Sequence, residues 1–222
     1  MPAGKITALQ AQAHDPQRVN VFIDGAFALG VSLTTITRER LYVGQALNSE
    51  EYERLVRAEQ SDRAYQAALR ILESRPRSAH EIRDRLQRKG FEPDLIDYAL
   101  ERLTDLGLIN DAVFARYWIE NRQLARPRGP AALRDELRRK GIDRDLISET
   151  LQDEELIGDP DQQALVLARS VVRKYANAAD YAAFSRRLGG FLQRRGFHQG
   201  TIRPIVAQLW RELGQTSSEE SD

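Results

Sequence analysis

The sequence predicts a mainly α-helical protein: a tandem array of three three-helix repeats behind a small N-terminal β-hairpin or β-sheet module. Two observations carry this. Residues 75–100, RPRSAHEIRDRLQRKGFEPDLIDYAL, recur as RPRGPAALRDELRRKGIDRDLISETL at 126–151 and, more diverged, as FSRRLGGFLQRRGFHQGTIRPIV at 184–206. Separately, apolar residues alternate on both sides of Asp24-Gly25. Shifts of 51 and then 55 residues lay Gly90 on Gly141 and Gly196. Ile82, Leu133 and Leu188 then coincide, as do Leu86, Leu137 and Leu192. Lys89, Lys140 and Arg195 coincide too, each followed by glycine and then by Phe91, Ile142 or Phe197. Self-similarity in both apolar spacing and punctuation marks a repeat architecture.

Residues 1–60 stand outside the repeats. Val19, Val21 and Ile23 alternate before Asp24-Gly25, and Phe27, Leu29 and Val31 alternate after it, a strong hairpin pattern. A two-residue loop would set Ile23 against Ala26 and put the apolar rows on opposite faces. A three-residue loop, 24–26, aligns Ile23 with Phe27 and Val21 with Leu29, and is the one expected. Residues 6–10 suggest a third strand; three short strands are about the minimum for an independent sheet. A helix over 49–57, capped by Ser49, is expected to dock this module on the first repeat.

The first repeat, 61–109, opens with a helix over 62–73 carrying Tyr65, Ala68, Leu69 and Leu72 at helical spacing. Ser78 is an N-cap with Glu81 as its capping-box partner. Ala79, Ile82 and Leu86 share one helix face. Lys89-Gly90 is a stop signal, a cation near the negative helix end and then a residue that accepts positive φ. Pro93 opens the next helix, where its missing N–H costs nothing. Leu95, Ile96, Leu100 and Leu103 line that helix and Gly107 ends it. The second repeat, 110–157, begins at Asn110-Asp111 with a helix holding Val113, Phe114, Tyr117, Trp118 and Leu124, whose aromatics read as core. Residues 126–130, RPRGP, form a turn. Gly158-Asp159-Pro160 is the linker to the third repeat, 158–214, with Leu165, Leu167, Ala168, Val171 and Val172 on its first helix. Gly189-Gly190 falls inside a helix there and reads as close packing. Residues 215–222 are expected to be an acidic disordered tail.

Composition narrows the function. Hydrophobic residues make up 41% and charged ones 30%, which suits a helical protein with much surface per residue. Lys and Arg total 33, against 33 Asp and Glu, so any basic face is balanced elsewhere, here by 153–161 and 219–222. Cysteine is absent, which rules out disulfides and thiolate metal sites. No signal-peptide core is visible, and no apolar run approaches the roughly 18 residues of a membrane span; the expectation is a cytoplasmic protein with no membrane contact. His14, His80 and His198 are scattered without metal spacing. No phosphate-binding glycine loop or nucleophile elbow is present. A non-enzyme without cofactor or metal is expected.

Basic residues recur with the repeat. Six Arg or Lys in 75–89 face two acids, six in 126–140 face two, and four in 186–195 face none. At about 100° per residue, Arg88, Arg139 and Arg194 lie on the side of their helices away from the leucines. One reading is a solvated face with cations suited to helix C-termini. The other is a basic stripe over stacked repeats, aimed at phosphates or an acidic protein surface. On that reading the contact residues are Arg75, Arg77, Arg88 and Lys89; Arg126, Arg128, Arg139 and Lys140; and Arg187, Arg194 and Arg195.

The chain resembles the RecX regulatory-protein family. The resemblance rests on VNVFIDGAFALGVSL at 19–33, on Leu41-Tyr42-Val43-Gly44-Gln45, and on 75–91 with its following helix. It continues through LGLINDAVFA at 106–115, 126–142, and FLQRRGF at 191–197. It covers nearly the whole chain; Pro130 and the diverged third copy depart from it. The resemblance implies a monomeric modulator of the RecA recombinase, in recombination, repair and the SOS response. Such a modulator binds RecA as its filament on DNA, with direct DNA contact allowed, and restrains recombinase and co-protease activity. The alternative is a helical-repeat protein that binds DNA without a recombinase partner. It predicts strongly salt-dependent binding, because each phosphate contact releases counterions, and zero net charge weighs against it.

Overall fold

A computed structural model describes residues 4–219, with side chains through Gly214; residues 1–3 and 220–222 lie outside the described residues. The architecture is the expected one, helical repeats behind a small antiparallel sheet. The chain divides into two compact units between Ile109 and Asn110.

In the N-terminal unit, β1 (Gly4–Gln12), β2 (Asp15–Ile23), β3 (Ala26–Ser32) and β4 (Ala46–Leu47) form one sheet in the order β3-β2-β1-β4. A short helix, α1 (Leu33–Glu39), follows β3. The hairpin loop has two residues, not three. Asp24 and Gly25 both take positive φ, 48° and 84°, as a primed turn requires, and Ile23 faces Ala26. An irregularity between Val21 and Phe22 then restores Val21 opposite Leu29 and Val19 opposite Val31. A bulge supplies the one-residue correction that the longer loop was invoked to make. Its cost is visible at Phe27, left 60% exposed and edge-on to Phe22.

The two helices expected at 49–57 and 62–73 are one, α2 (Ser49–Leu72), about 36 Å long at 1.5 Å per residue. Its cap is Asn48 rather than Ser49. Asn48 Oδ1 accepts from Glu51 N at 2.9 Å, and Glu51 Oε2 accepts from Asn48 N at 2.8 Å, a complete capping box. Leu55 packs with Ile6, Val21, Ile23 and Val31 of the sheet, while Ala64, Tyr65, Ala68 and Ile71 pack in the core of the first repeat. One helix therefore welds module to repeat. That repeat is completed by α3 (Ala79–Arg88) and α4 (Pro93–Asp105), with Pro93 in the first turn.

The C-terminal unit holds α5 (Asp111–Ala125), α6 (Pro130–Arg139), α7 (Arg144–Gln152) and a short α8 (Glu154–Ile157). It continues with α9 (Pro160–Val171), α10 (Tyr181–Arg194) and α11 (Gln199–Glu219). Phe114, Ile119, Leu133, Leu137, Ile147 and Ile157 form one core. Phe184, Leu188, Leu192, Phe197, Ile202 and Leu209 form another. Gly189 and Gly190 lie within α10, where a Cβ would sit 3.4 Å from Ile202 and from Arg194 respectively, an ordinary contact distance, so packing does not by itself demand glycine at either position. Val113 and Leu124 are 57% and 87% exposed, so the core face of α5 is Phe114, Ala115 and Ile119 with Trp118 packed against them, and Tyr117 is not part of it. Helix α11 runs past Gly214 to Glu219; 220–222 of the expected tail lie outside the described residues.

The triplication is exact in its hydrogen bonds at one place. After α3, α6 and α10, Gly90, Gly141 and Gly196 take φ of 81°, 75° and 89°. Each donates to a carbonyl three residues back, Gln87, Arg138 and Gln193. The next residue, Phe91, Ile142 or Phe197, donates to Leu86, Leu137 or Leu192, the Schellman-type closure in which an apolar residue seals the helix end.

Candidate functional site

The basic residues cluster at these helix ends, and the structure sorts them by what holds them. Arg88 and Arg139 are exposed, and each lays its Nε against the carbonyl four residues back, Asp84 and Asp135, at 3.1 Å. Arg194 is exposed as well and leans back likewise: a Cβ on Gly190 would lie 3.4 Å from its Nη1. Lys89, Arg126 and Arg187 also face solvent. Three residues are held within the fold. Arg75 grips Glu81 through two hydrogen bonds, 2.9 and 3.0 Å. Arg77 is 9% exposed and donates to Ser74 Oγ at 3.0 Å. Lys140 sets its ammonium 4.6 Å from the centre of the Trp118 ring, as Arg122 does with its guanidinium, so part of its charge serves a cation–π contact.

Arg126, Arg128, Arg194 and Arg195 come together at a seam between the second and third repeats. The 126–129 loop lies on the turn that ends α10. Gly129 N donates to Arg195 O at 2.8 Å, Ala131 N to Gly196 O at 3.3 Å, and Arg128 Nη1 to Arg194 O at 3.5 Å. Neither glycine tolerates a side chain. A Cβ on Gly129 would sit 2.4 Å from Gly196 O, and one on Gly196 would sit 2.4 Å from Ala132 Cβ. Ser78, the aligned residue of the first copy, serves instead as a cap, accepting from Glu81 N at 3.1 Å.

This seam gathers positive charge. Burial, then repulsion from Arg128 and Arg126, holds the Arg195 guanidinium below its ordinary pKa; its cation rests 5.2 Å over the Phe191 ring. Glu136 is the nearby acid, and it is shared. Its carboxylate accepts from Trp118 Nε1 at 2.9 Å and Arg122 Nε at 2.7 Å, and lies 3.4 Å from Arg128 Nε as an ion pair without hydrogen-bond geometry. Glu136 was not among the sequence candidates, because its role depends on Trp118 and Arg122 from another helix. Gly129 left a signal: a glycine replaces a capping serine where φ, at −71°, does not require one, which points to close backbone approach.

Among the described residues no group of three or more His, Cys, Asp or Glu could hold a metal ion, and no helix is long and apolar enough to cross a membrane.

Comparison with known proteins adds the family. The model described as the regulatory protein RecX N-terminal domain matches 4–48; those of the RecX first and second three-helix domains match 64–103 and 110–151. The chain belongs to the RecX family. A "Regulatory protein RecX" of Clostridium perfringens (strain SM101 / Type A) is 30% identical over 211 residues, 93% of this chain and 96% of that protein. Another, of Lactobacillus johnsonii, is 31% identical over 195 residues, 86% of this chain and 70% of that one. A crystal structure titled regulatory protein RecX is 25% identical, with a TM-score of 0.76 over 90% of this chain and 98% of that one. RecX from Lactobacillus salivarius, also 25% identical, gives 0.59 over 68% and 97%. The chain is thus a RecX-type regulatory protein, and the seam lies partly within the matched second three-helix domain.

Proposed function

We propose that this RecX-family chain is a non-catalytic, cytoplasmic regulator that binds the RecA recombinase on DNA and restrains its recombinase and co-protease activities. The observation that carries the reading is the arginine cluster at the seam. The backbone bonds of Gly129 N to Arg195 O and Ala131 N to Gly196 O, with Arg128 Nη1 donating to Arg194 O, hold Arg126 and Arg128 beside the α10 end, where both repel the Arg195 guanidinium. An acidic partner surface offsets that cost on binding and steers the encounter. Within the same unit Arg139 and Arg187 add exposed cations and Lys140 is held within the fold; in the N-terminal unit Arg88 and Lys89 are exposed cations of the proposed contact, with Arg75 and Arg77 held within the fold.

The test is ATP hydrolysis by the cognate recombinase on single-stranded DNA, titrated with this protein up to one per protomer. Suppression well below equimolar supports the reading, with action at filament ends; suppression only near saturation supports it with binding along the groove. Unchanged hydrolysis, with tight and salt-sensitive binding to naked DNA, overturns it in favour of direct DNA binding.

A further inference from the structure

A cavity of about 860 Å³ lies in the N-terminal unit, where the start of β2, the β3–α1 junction and the end of α3 meet α2. That volume is in the range of small-molecule sites. Two features of its lining are unresolved by the fold. Arg63, Arg70 and Lys89 line it, and among the described residues none has an acidic partner or a side-chain hydrogen bond. The other lining cation, Arg18, is engaged with Glu59 at 2.8 Å. Asp62 also lines the cavity, is only 2% exposed, and its Oδ1 has no hydrogen-bond partner. A buried carboxylate oxygen without a donor carries its full desolvation cost.

The two features ask for different chemistry. Three free cations favour a compact anion, and a phosphate above others because guanidinium binds it in a planar fork. Asp62 asks for a neutral or cationic donor. A phosphate alone satisfies the first and repels the second. A phosphate carried on a hydroxyl-bearing sugar satisfies both, as carboxylates that hold ribose hydroxyls do in other nucleotide sites. Thr34 adds a hydroxyl to the lining, and Phe91 an apolar surface for a base.

We propose that this cavity binds a free mononucleotide, with its phosphate on Arg63, Arg70 and Lys89 and a sugar hydroxyl donating to the Asp62 carboxylate. The site is separate from the seam; it shares Lys89 alone with the proposed recombinase contact, and its argument does not depend on that reading.

Calorimetric titration of the full chain with AMP, adenosine and inorganic phosphate at low salt tests it. AMP is expected to bind at least about tenfold more tightly than either fragment. Arg70→Ala and Asp62→Asn should each weaken AMP about tenfold or more. Circular dichroism checks folding; Arg70 is exposed, so its variant keeps the test decisive should Asp62→Asn misfold. Three results overturn the proposal: no AMP binding at millimolar concentration, phosphate binding as tightly as AMP, or AMP binding unchanged by Arg70→Ala. Binding of a 5′-phosphorylated oligonucleotide without AMP binding assigns the cavity to a strand end and overturns it as well. Recombinase inhibition measured in parallel keeps failure here distinct from failure of the proposed function.

Discussion

Gly129→Ala probes the seam chiefly through packing, beside the smaller cost of placing alanine at the N-cap of α6. At φ −71° and ψ 162° the residue occupies backbone space open to alanine. Losing a glycine by itself stabilises by about 0.4–1 kcal/mol through the unfolded chain. The new methyl, however, meets Gly196 O at 2.4 Å, Gly196 C at 2.5 Å and Phe197 N at 2.7 Å. All three are backbone atoms at a hydrogen-bonded turn, so no side chain can swing aside. Relief requires the start of α6 to retreat by about an ångström, since carbon contacts settle near 3.5–4.0 Å. That retreat breaks Gly129 N to Arg195 O, 2.8 Å, and Ala131 N to Gly196 O, 3.3 Å. Two such bonds, or the overpacking that preserves them, cost about 1–3 kcal/mol net. Urea unfolding should show that loss, and inhibition of the recombinase should weaken as Arg126 and Arg128 part from Arg194 and Arg195. Gly90→Ala is the control. Its Cβ meets nothing within 4 Å, so only the strain of φ 81° remains, about 1–2 kcal/mol, with inhibition retained. A Gly129→Ala protein as stable as the wild type would refute the interlock.

Three further outcomes are expected. Arg88→Glu, Arg139→Glu and Arg194→Glu together should weaken filament binding yet leave unfolding within about 0.5 kcal/mol per site, because all three are exposed; unaltered inhibition removes this face from the mechanism. Glu136→Gln should cost about 1.5–3 kcal/mol, since it discharges the acceptor shared by Trp118, Arg122 and Arg128, and should shift tryptophan emission; an unchanged spectrum and melting point would show that the acid is not holding them. The Arg116 guanidinium, by hydrogen bonding, holds the Asp153 carboxyl below its ordinary range. A lowered folded pKa contributes stability that is present above the ordinary carboxylate range and lost as pH falls through the lowered value. The stability gap between wild type and Asp153→Asn should therefore close on acidification, and a gap that widens instead contradicts the ion pair.

The seam shows how far a linear reading reaches. The helix-ending glycines, their flanking cations and the sealing Phe91, Ile142 and Phe197 were legible because a helix C-terminus is a local problem, solved within five residues. Arg88, Arg139 and Arg194 were legible as outward-facing for the same reason, by period alone. Arg77 was not: its burial depends on what lies beside it in space. Lys140 was assigned to an open surface, and the structure sets it over Trp118 from α5. Val113 and Leu124 have core-type side chains, yet among the described residues nothing buries them.

By itself the sequence determined the helical repeats, the β module before them, the places where helices start and stop, and the family. The structural elements follow from periodicity, capping and turn chemistry, whose causes are a few residues apart; the family follows from the resemblance of its motifs. Tertiary structure decided the rest. It merged two expected helices into α2, because Leu55 and Ala64 serve two cores from one rod. It replaced a longer hairpin loop with a primed turn and a bulge, because register answers to the whole buried face and not to the turn alone. It also drew Arg126 and Arg128 onto Arg194 and Arg195, since the close approach of two glycines 67 positions apart is a property of folded packing that no local pattern encodes.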